Sequence, residues 1–139
     1  MYAYEGSILE NKAAQYEEVQ EFLEQFGFVV GGGWEVDHGY FDKKLDAEPG
    51  YLYLRIPAFV ERGSFGDPNA ILRLGRPFLL RHKYQLANDD RVDVSVVNAS
   101  INQFAEPQDP DASLRADEIE AGRTILARVE EAYRHQFGD

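Results

Sequence analysis

The residues best suited to chemistry lie in one glycine-rich stretch, FVVGGGWEVDHGYFDKKL, at positions 28–45. A phosphate-cradling loop places glycines between a strand and a helix N-terminus, where backbone N–H groups and the helix dipole converge on the anion. Here a strand-like pattern follows Gly31, Gly32 and Gly33, and no Lys-Ser or Lys-Thr pair comes after them. The pattern therefore favours a bend at a strand entrance, where glycine permits a positive φ or a close backbone approach.

The histidines offer a second kind of chemistry. His38 could bind a metal together with Asp37 or Asp42, or act as a general base, or be an ordinary core or edge histidine. Neighbouring residues on a regular strand face opposite ways, so Asp37 and His38 cannot hold one ion from such a strand. His82 has basic neighbours that disfavour a bound cation. The 3 histidines show neither HxH nor HExxH spacing, and we predict no metal site.

Nucleophilic catalysis has little support in the sequence. The stretch RGSFGD around Ser64 resembles a GxSxG elbow superficially but lacks its spacing. The absence of cysteine excludes thiol nucleophiles, disulfides and Cys-based metal sites. We assign no catalytic residue and no cofactor. An enzyme would require two carboxylates from distant positions to be brought together by the fold.

Basic residues cluster in this otherwise acidic chain. Arg73 and His82 belong to a basic run at positions 73–83, and Arg55 lies on a strand predicted nearby. One interpretation is a binding site for a small anion, either a carboxylate or a phosphate. The other is cross-strand pairing of these bases with acids such as Asp37 and Asp93.

The strand pattern YLYLRIPAFV at positions 51–60 predicts an exposed aromatic surface. Leu52, Leu54 and Ile56 point one way, so their alternating neighbours share the outward face. We expect that face to carry Tyr51, Tyr53, Phe41, Ile71, Arg55, Arg73 and Glu35. If both helices cover the opposite face, this one is suited to a homodimer interface or to a groove for a protein partner. If one helix covers each face, nothing remains exposed. The candidate binding residues are Tyr51, Tyr53, Arg55, Arg73 and His82.

The spacing of apolar residues predicts the helices and strands that position these residues. A helix is predicted over 11–26, capped by Asn11 and ended by Gly27. Strand-like runs follow up to VDVSVV at 92–97, and Trp34 is expected to point into the core. A second helix is predicted over 114–137, with Asp111 or Ser113 as its cap and with an apolar stripe formed by Ile119, Leu126, Val129 and Tyr133. Short turns between strands favour an antiparallel sheet.

The fold class predicted is therefore α+β, with an antiparallel sheet of about four to six strands flanked by an N-terminal and a C-terminal helix. The 139 residues form one domain, 1–139. With 25 acidic against 14 basic residues the net charge is −11, which disfavours nucleic acid and membrane partners. The chain lacks a signal peptide pattern and an apolar run of the roughly 20 residues that span a bilayer, so we expect a soluble, cytoplasmic protein.

Three stretches in the central part of the chain, GFVVGGGWEVDHGYFDKK, YLYLRIPAF and ILRLGRPFLLRHKY, resemble the YugN-like family of small bacterial proteins from Bacillus-type organisms. The resemblance covers roughly residues 7–85. It lies in a Gly-Trp step, in an aromatic-Asp-x-Lys end, in an aromatic-Leu-Arg-hydrophobic strand, and in a His followed by an aromatic residue. It implies an α+β fold with an antiparallel sheet and helices. It implies no activity and carries over no functional residues.

Overall fold

The computed structural model describes residues 1–45, 51–82 and 114–138. In chain order the elements are β1 (Tyr2–Ala3), β2 (Ala13–Gln15), α1 (Tyr16–Glu24), β3 (Val29–Val30), β4 (His38–Leu45), β5 (Tyr51–Arg62), β6 (Ile71–Leu74), β7 (Phe78–His82) and α2 (Ala116–Phe137). The α+β class with an antiparallel sheet is confirmed. The predicted strand at 92–97, Asp93, and the predicted caps Asp111 and Ser113 lie outside the described residues.

One seven-stranded antiparallel sheet is formed by the described residues. Its longest strand, β5, pairs with β4 on one side. On the other side its first half pairs with β7 and its second half with β6. The strand count exceeds the prediction because β1, β2 and β3 are segments of only two or three residues. They pair at the edges of the sheet and carry little periodicity of their own.

The N-terminal helix is shorter than predicted. It begins at Tyr16 because Ala13–Gln15 pair with β6, and Asn11 has a positive φ of 75° and does not cap the helix. It ends at Glu24, two residues before the predicted end. The left-handed residue predicted after the helix is confirmed at Gly27, which adopts a φ of 88°, a conformation that glycine tolerates. The chain can therefore turn from the helix directly into β3.

Alternation along β5 places Leu52, Leu54 and Ile56 on a fully buried face, as predicted. Because Leu52 pairs with Arg81 and Ile56 pairs with Phe41, those two residues belong to the same inner face. The buried core also includes Val19, Phe22 and Leu23 from α1, Leu72 and Leu74 from β6, Leu79 from β7, and Leu126, Val129 and Tyr133 from α2.

Both helices pack on this inner face. On α1, Tyr16 contacts the ring of Phe41 with centroids 6.0 Å apart, and Phe22 meets Tyr133 of α2 edge to face. On α2, Glu118 forms a buried ion pair with Arg81. The predicted helical stripe is confirmed at Leu126, Val129 and Tyr133, which are buried, while Ile119 is half-buried. The described helices therefore cover one face of the sheet.

Two expectations about side-chain direction were wrong. Trp34 is 53% exposed, and Phe41 is buried on the inner face instead of pointing outward. The reason is a register difference of one residue: the chain turns through 31–37, and β4 begins only at His38. Gly39 and Phe41 then point inward. The period-two pattern from Trp34 onward spans both a turn and the start of β4, so it does not describe one continuous strand.

Candidate functional site

The sheet's outer face lies opposite the two helices. Pairing of β4 with β5 places His38, Tyr40, Asp42 and Lys44 beside Phe59, Pro57, Arg55 and Tyr53 respectively. Pairing of β5 with β7 adds His82 beside Tyr51, Leu80 beside Tyr53 and Phe78 beside Arg55. We call these twelve positions, with Val29 of β3 and Arg73 of β6, the outer face.

An ion pair between neighbouring strands lies on the outer face. Arg55 donates from Nε and Nη2 to the two carboxylate oxygens of Asp42, at 2.8 Å and 2.9 Å. The guanidinium also lies 4.5 Å from the centre of the Tyr40 ring. The hydrogen bond to Asp42 raises the pKa of Arg55, so this cation is permanent and held in one orientation.

Gly31 permits the approach of this pair to β3. A Cβ at position 31 would lie 2.8 Å from Cγ of Asp42 and closer still to one carboxylate oxygen. Only glycine therefore fits beside the buried Asp42 carboxylate without displacing it. The glycine triplet leads through a turn into β4 and not into a helix, so it forms the predicted bend instead of a phosphate loop.

A cavity of about 630 Å³ opens on the outer face next to the ion pair. We call it the face cavity. Its lining residues come from β3 and its flanking glycines, and from β4, β5 and β7. They are Gly27, Val29, Gly31, Gly32, Asp42, Lys44, Tyr53, Arg55 and His82. A cavity of this size can hold a small organic molecule.

Aromatic and basic side chains contact one another around the face cavity. The rings of Tyr53 and His82 meet edge to face with centroids 5.5 Å apart, and Tyr51 packs beside Tyr53 at 6.4 Å. Nζ of Lys44 lies 4.0 Å from the centre of the Tyr51 ring. Four of the five candidate binding residues, Tyr51, Tyr53, Arg55 and His82, are therefore brought together here.

Arg73, the fifth candidate, lies elsewhere on the outer face. It pairs with Phe59, which is four residues along β5 from Arg55, a separation of roughly 13 Å at the usual rise of a strand. Its guanidinium forms an ion pair with Glu61 and donates from Nη1 to the backbone carbonyl of Asn11 at 2.7 Å. Arg55 and Arg73 thus each have an acidic partner, Asp42 and Glu61.

His38 and Asp37 form a local pair at the far end of β4. Nδ1 of His38 lies 2.9 Å from an Asp37 carboxylate oxygen. The hydrogen bond with His38 lowers the pKa of Asp37. Among the described residues, no three His, Asp or Glu side chains are grouped closely enough to hold a metal ion. In the same residues, no helix is long and apolar enough to cross a membrane.

The sequence pointed to Asp42 only as a possible metal ligand beside His38, and it did not point to Lys44 or Val29 as site residues. Lys44 was visible only as part of the FDKK sequence, two positions after Asp42. Their role depends on the register of β4 against β5, because that register places Asp42 opposite Arg55 and Lys44 opposite Tyr53. The alternation of Asp42 with Lys44 was the one available signal, and it needed the correct strand start at His38.

Comparisons with known proteins place this architecture in a family. The model of the YugN-like family matches residues 6–133. The chain is 35% identical over 129 residues to the Uncharacterized protein YugN of Bacillus subtilis (strain 168), covering 93% of this chain and 96% of that protein. It is 30% identical over 84 residues to the Uncharacterized protein YlbA of the same organism, covering 60% of this chain and 70% of that protein.

A solved structure shares the fold. The crystal structure of the uncharacterized conserved protein YugN from Geobacillus kaustophilus HTA426 aligns with a TM-score of 0.74 at 19% sequence identity and covers 100% of both chains. At this identity the likeness concerns the fold alone. The family match and the identity to the Bacillus subtilis protein confirm the resemblance seen in the central part of the chain: this protein belongs to the YugN-like family.

Proposed function

We propose that this protein is a non-enzymatic association module that binds a second copy of itself through the outer face. The observation that carries the proposal is the exposure of three apolar side chains on that face: Val29 is 60% exposed, Tyr51 39% and Phe59 51%. Exposed aromatic residues next to arginine are typical of the centre of protein interfaces.

The charges on the outer face favour a second copy as the partner. Lys44 lies at one end of the face. Asp37 lies at the other end, where Glu61 is already paired with Arg73. Lys44 and His38 are six positions apart on β4, so the ends are separated by roughly 20 Å. In a two-fold pair with antiparallel strands, the Lys44 end of each copy meets the acidic end of the other. This complementarity offsets part of the repulsion between two chains of net charge −11.

The size of the face indicates how strong the association is. The 12 residues of β5 extend roughly 40 Å, and three neighbouring strands are roughly 15 Å wide, which gives about 600 Å² per copy. Standard stable interfaces bury about 800 Å² per partner. We therefore expect a reversible dimer that populates at high protein concentration and dissociates on dilution.

Sedimentation equilibrium over a range of protein concentrations tests this proposal. Wild-type protein is expected to show a monomer–dimer equilibrium that Phe59→Glu abolishes, because the substitution removes an exposed aromatic ring and the interface would have to desolvate the new carboxylate. Tyr53→Glu and Arg55→Glu are expected to have the same effect. The matched control is Gln136→Glu, which adds the same charge at an exposed position of α2. A wild-type protein that remains strictly monomeric at the highest concentration overturns the proposal.

A further inference from the structure

We propose that the face cavity is a binding site for a small organic monocarboxylate with a flat, apolar body. This inference does not depend on self-association, because it concerns the concave part of the outer face in a single chain. It rests on three features of the site: its local charge, the fixed position of one cation, and the apolar wall beside it.

The local charge fits a monoanion. Arg55 and Lys44 contribute two positive charges at the cavity and Asp42 contributes one negative charge, which leaves one positive charge to neutralise. A ligand with a single carboxylate satisfies this balance. A phosphate that carries close to two negative charges at neutral pH would meet the buried Asp42 carboxylate and leave one charge without compensation, which is costly in a partly desolvated site.

Arg55 is held in place before a ligand binds. Its fork to Asp42 uses two of the five N–H donors of the guanidinium, and the Tyr40 ring lies along it at 4.5 Å. The side chain is only 19% exposed, so its remaining donors act where water is partly excluded. A cation that is already ordered loses little conformational entropy on binding, which favours affinity.

Lys44 supplies a second, exposed cation on the same side. It is exposed and lies 4.0 Å from the Tyr51 ring, a contact with the ring face that uses none of the three N–H donors by a conventional acceptor. The ammonium can therefore reach towards a carboxylate next to Arg55. Arginine pairs with a carboxylate through a planar fork of donors and lysine through a compact charge, so the two can contact one carboxylate together.

The remaining wall suits a flat apolar group. Gly31 and Gly32 have no side chains, Val29 is 60% exposed, and the Tyr53 ring stands edge to face with His82. These residues give the face cavity an apolar wall of backbone and a valine on one side of β4 and an aromatic ring on the other. A planar ring or a short hydrocarbon chain buries these surfaces, while its carboxylate points to Arg55 and Lys44.

The test is an amide NMR titration with benzoate, and it uses benzamide, which has the same shape without the charge, as the comparison ligand. We expect benzoate to shift the amides of Val29, Gly31, Gly32 and Tyr53 and to bind at least about tenfold more tightly than benzamide, which is the size of one charge-assisted hydrogen bond. Equal binding of the two compounds, shifts confined to other surfaces, or no saturable binding overturns the proposal. Tighter binding of inorganic phosphate than of benzoate overturns the choice of a monocarboxylate.

Two variants connect the binding to the site. Lys44→Met is expected to weaken benzoate binding about tenfold with a well-dispersed amide spectrum, because Lys44 is exposed. Lys12→Met, beside β6 and away from the cavity, is expected to leave binding unchanged. If both variants bind like wild type, the ligand is held elsewhere. Repeating the titration in the Phe59→Glu background separates the two proposals, since a chain that cannot pair still contains the whole face cavity.

Discussion

The buried ion pair between α2 and the sheet leads to a quantitative prediction for Glu118→Gln. Arg81 and Glu118 are each 4% exposed. The Glu118 carboxylate accepts from Nη2 of Arg81, and its other oxygen accepts the backbone N–H of Arg115 at 2.9 Å. Nη1 of Arg115 lies 3.2 Å from the same carboxylate. One acidic side chain therefore connects the inner face of β7 with the first turn of α2.

The expected loss of stability follows from burial. Breaking a buried ion pair by removing the charge of one partner costs about 3–5 kcal/mol. Glutamine preserves the shape of the side chain and one carbonyl acceptor for the Arg115 N–H, so the lower end applies, and we expect about 3 kcal/mol. For a domain whose total stability is about 5–15 kcal/mol, this is a large fraction.

Urea unfolding followed by tryptophan fluorescence and circular dichroism measures this loss. With an m-value near 2 kcal/mol/M, the midpoint is expected to fall by about 1.5 M without a change in m. The control is Glu120→Gln, two residues further along α2, where the carboxylate is 67% exposed and pairs with Arg123 at 3.2 Å. Exposed pairs of this kind contribute little to stability, so the urea midpoint of this variant is expected to stay close to that of the wild type. If both variants lose the same amount, the ion pair does not hold α2 on the sheet.

The remaining predictions concern acid pH, the glycine bend and the core. Burial raises the pKa of Glu118, but the hydrogen bonds from Arg81 and the Arg115 backbone outweigh this and lower the pKa below its usual 4.5. The ionised carboxylate therefore stabilises the fold above that pH, and this stabilisation is lost as the pH falls through the folded-state pKa. The dependence of stability on pH should be weaker in Glu118→Gln. Gly31→Ala is expected to cost about 1–3 kcal/mol in urea unfolding by displacing the Asp42 carboxylate; an unchanged midpoint would contradict the close approach. Leu54→Ala should cost about 2–5 kcal/mol and Trp34→Ala less than about 1 kcal/mol, and the reverse order would contradict the assigned faces.

Local patterns in the sequence were sufficient for several elements. The left-handed residue at Gly27, the alternation of Leu52 and Leu54 on β5, and the stripe of α2 each depend on residues close in the chain. Such patterns report the period of one element and its apolar side. They predicted the α+β class and the buried face of the central strand without any knowledge of which strands pair.

Contacts between elements could not be predicted from such local patterns. The predicted direction of Trp34 was wrong because a turn and a strand both produce alternating residue types over a few positions, and a shift of one residue reverses every side chain. The pairing of Asp42 with Arg55 depends on the same register. The start of α1 was misplaced for a related reason, since Ala13–Gln15 are held as a strand by β6, 50 and more positions further along the chain.

The Arg81–Glu118 and Arg55–Asp42 ion pairs differ in what they leave available to a ligand. Arg81 and Glu118 are equally buried on the inner face, so that pair acts only within the fold. On the outer face Asp42 is buried while Arg55 is partly exposed, and the carboxylate therefore serves to fix the guanidinium at the rim of a cavity. A fold that needed only stability could bury apolar residues of similar volume at both positions. The asymmetry of the outer pair, combined with the side-chain-free edge at Gly31, is the reason to look for a ligand there and not at the inner pair.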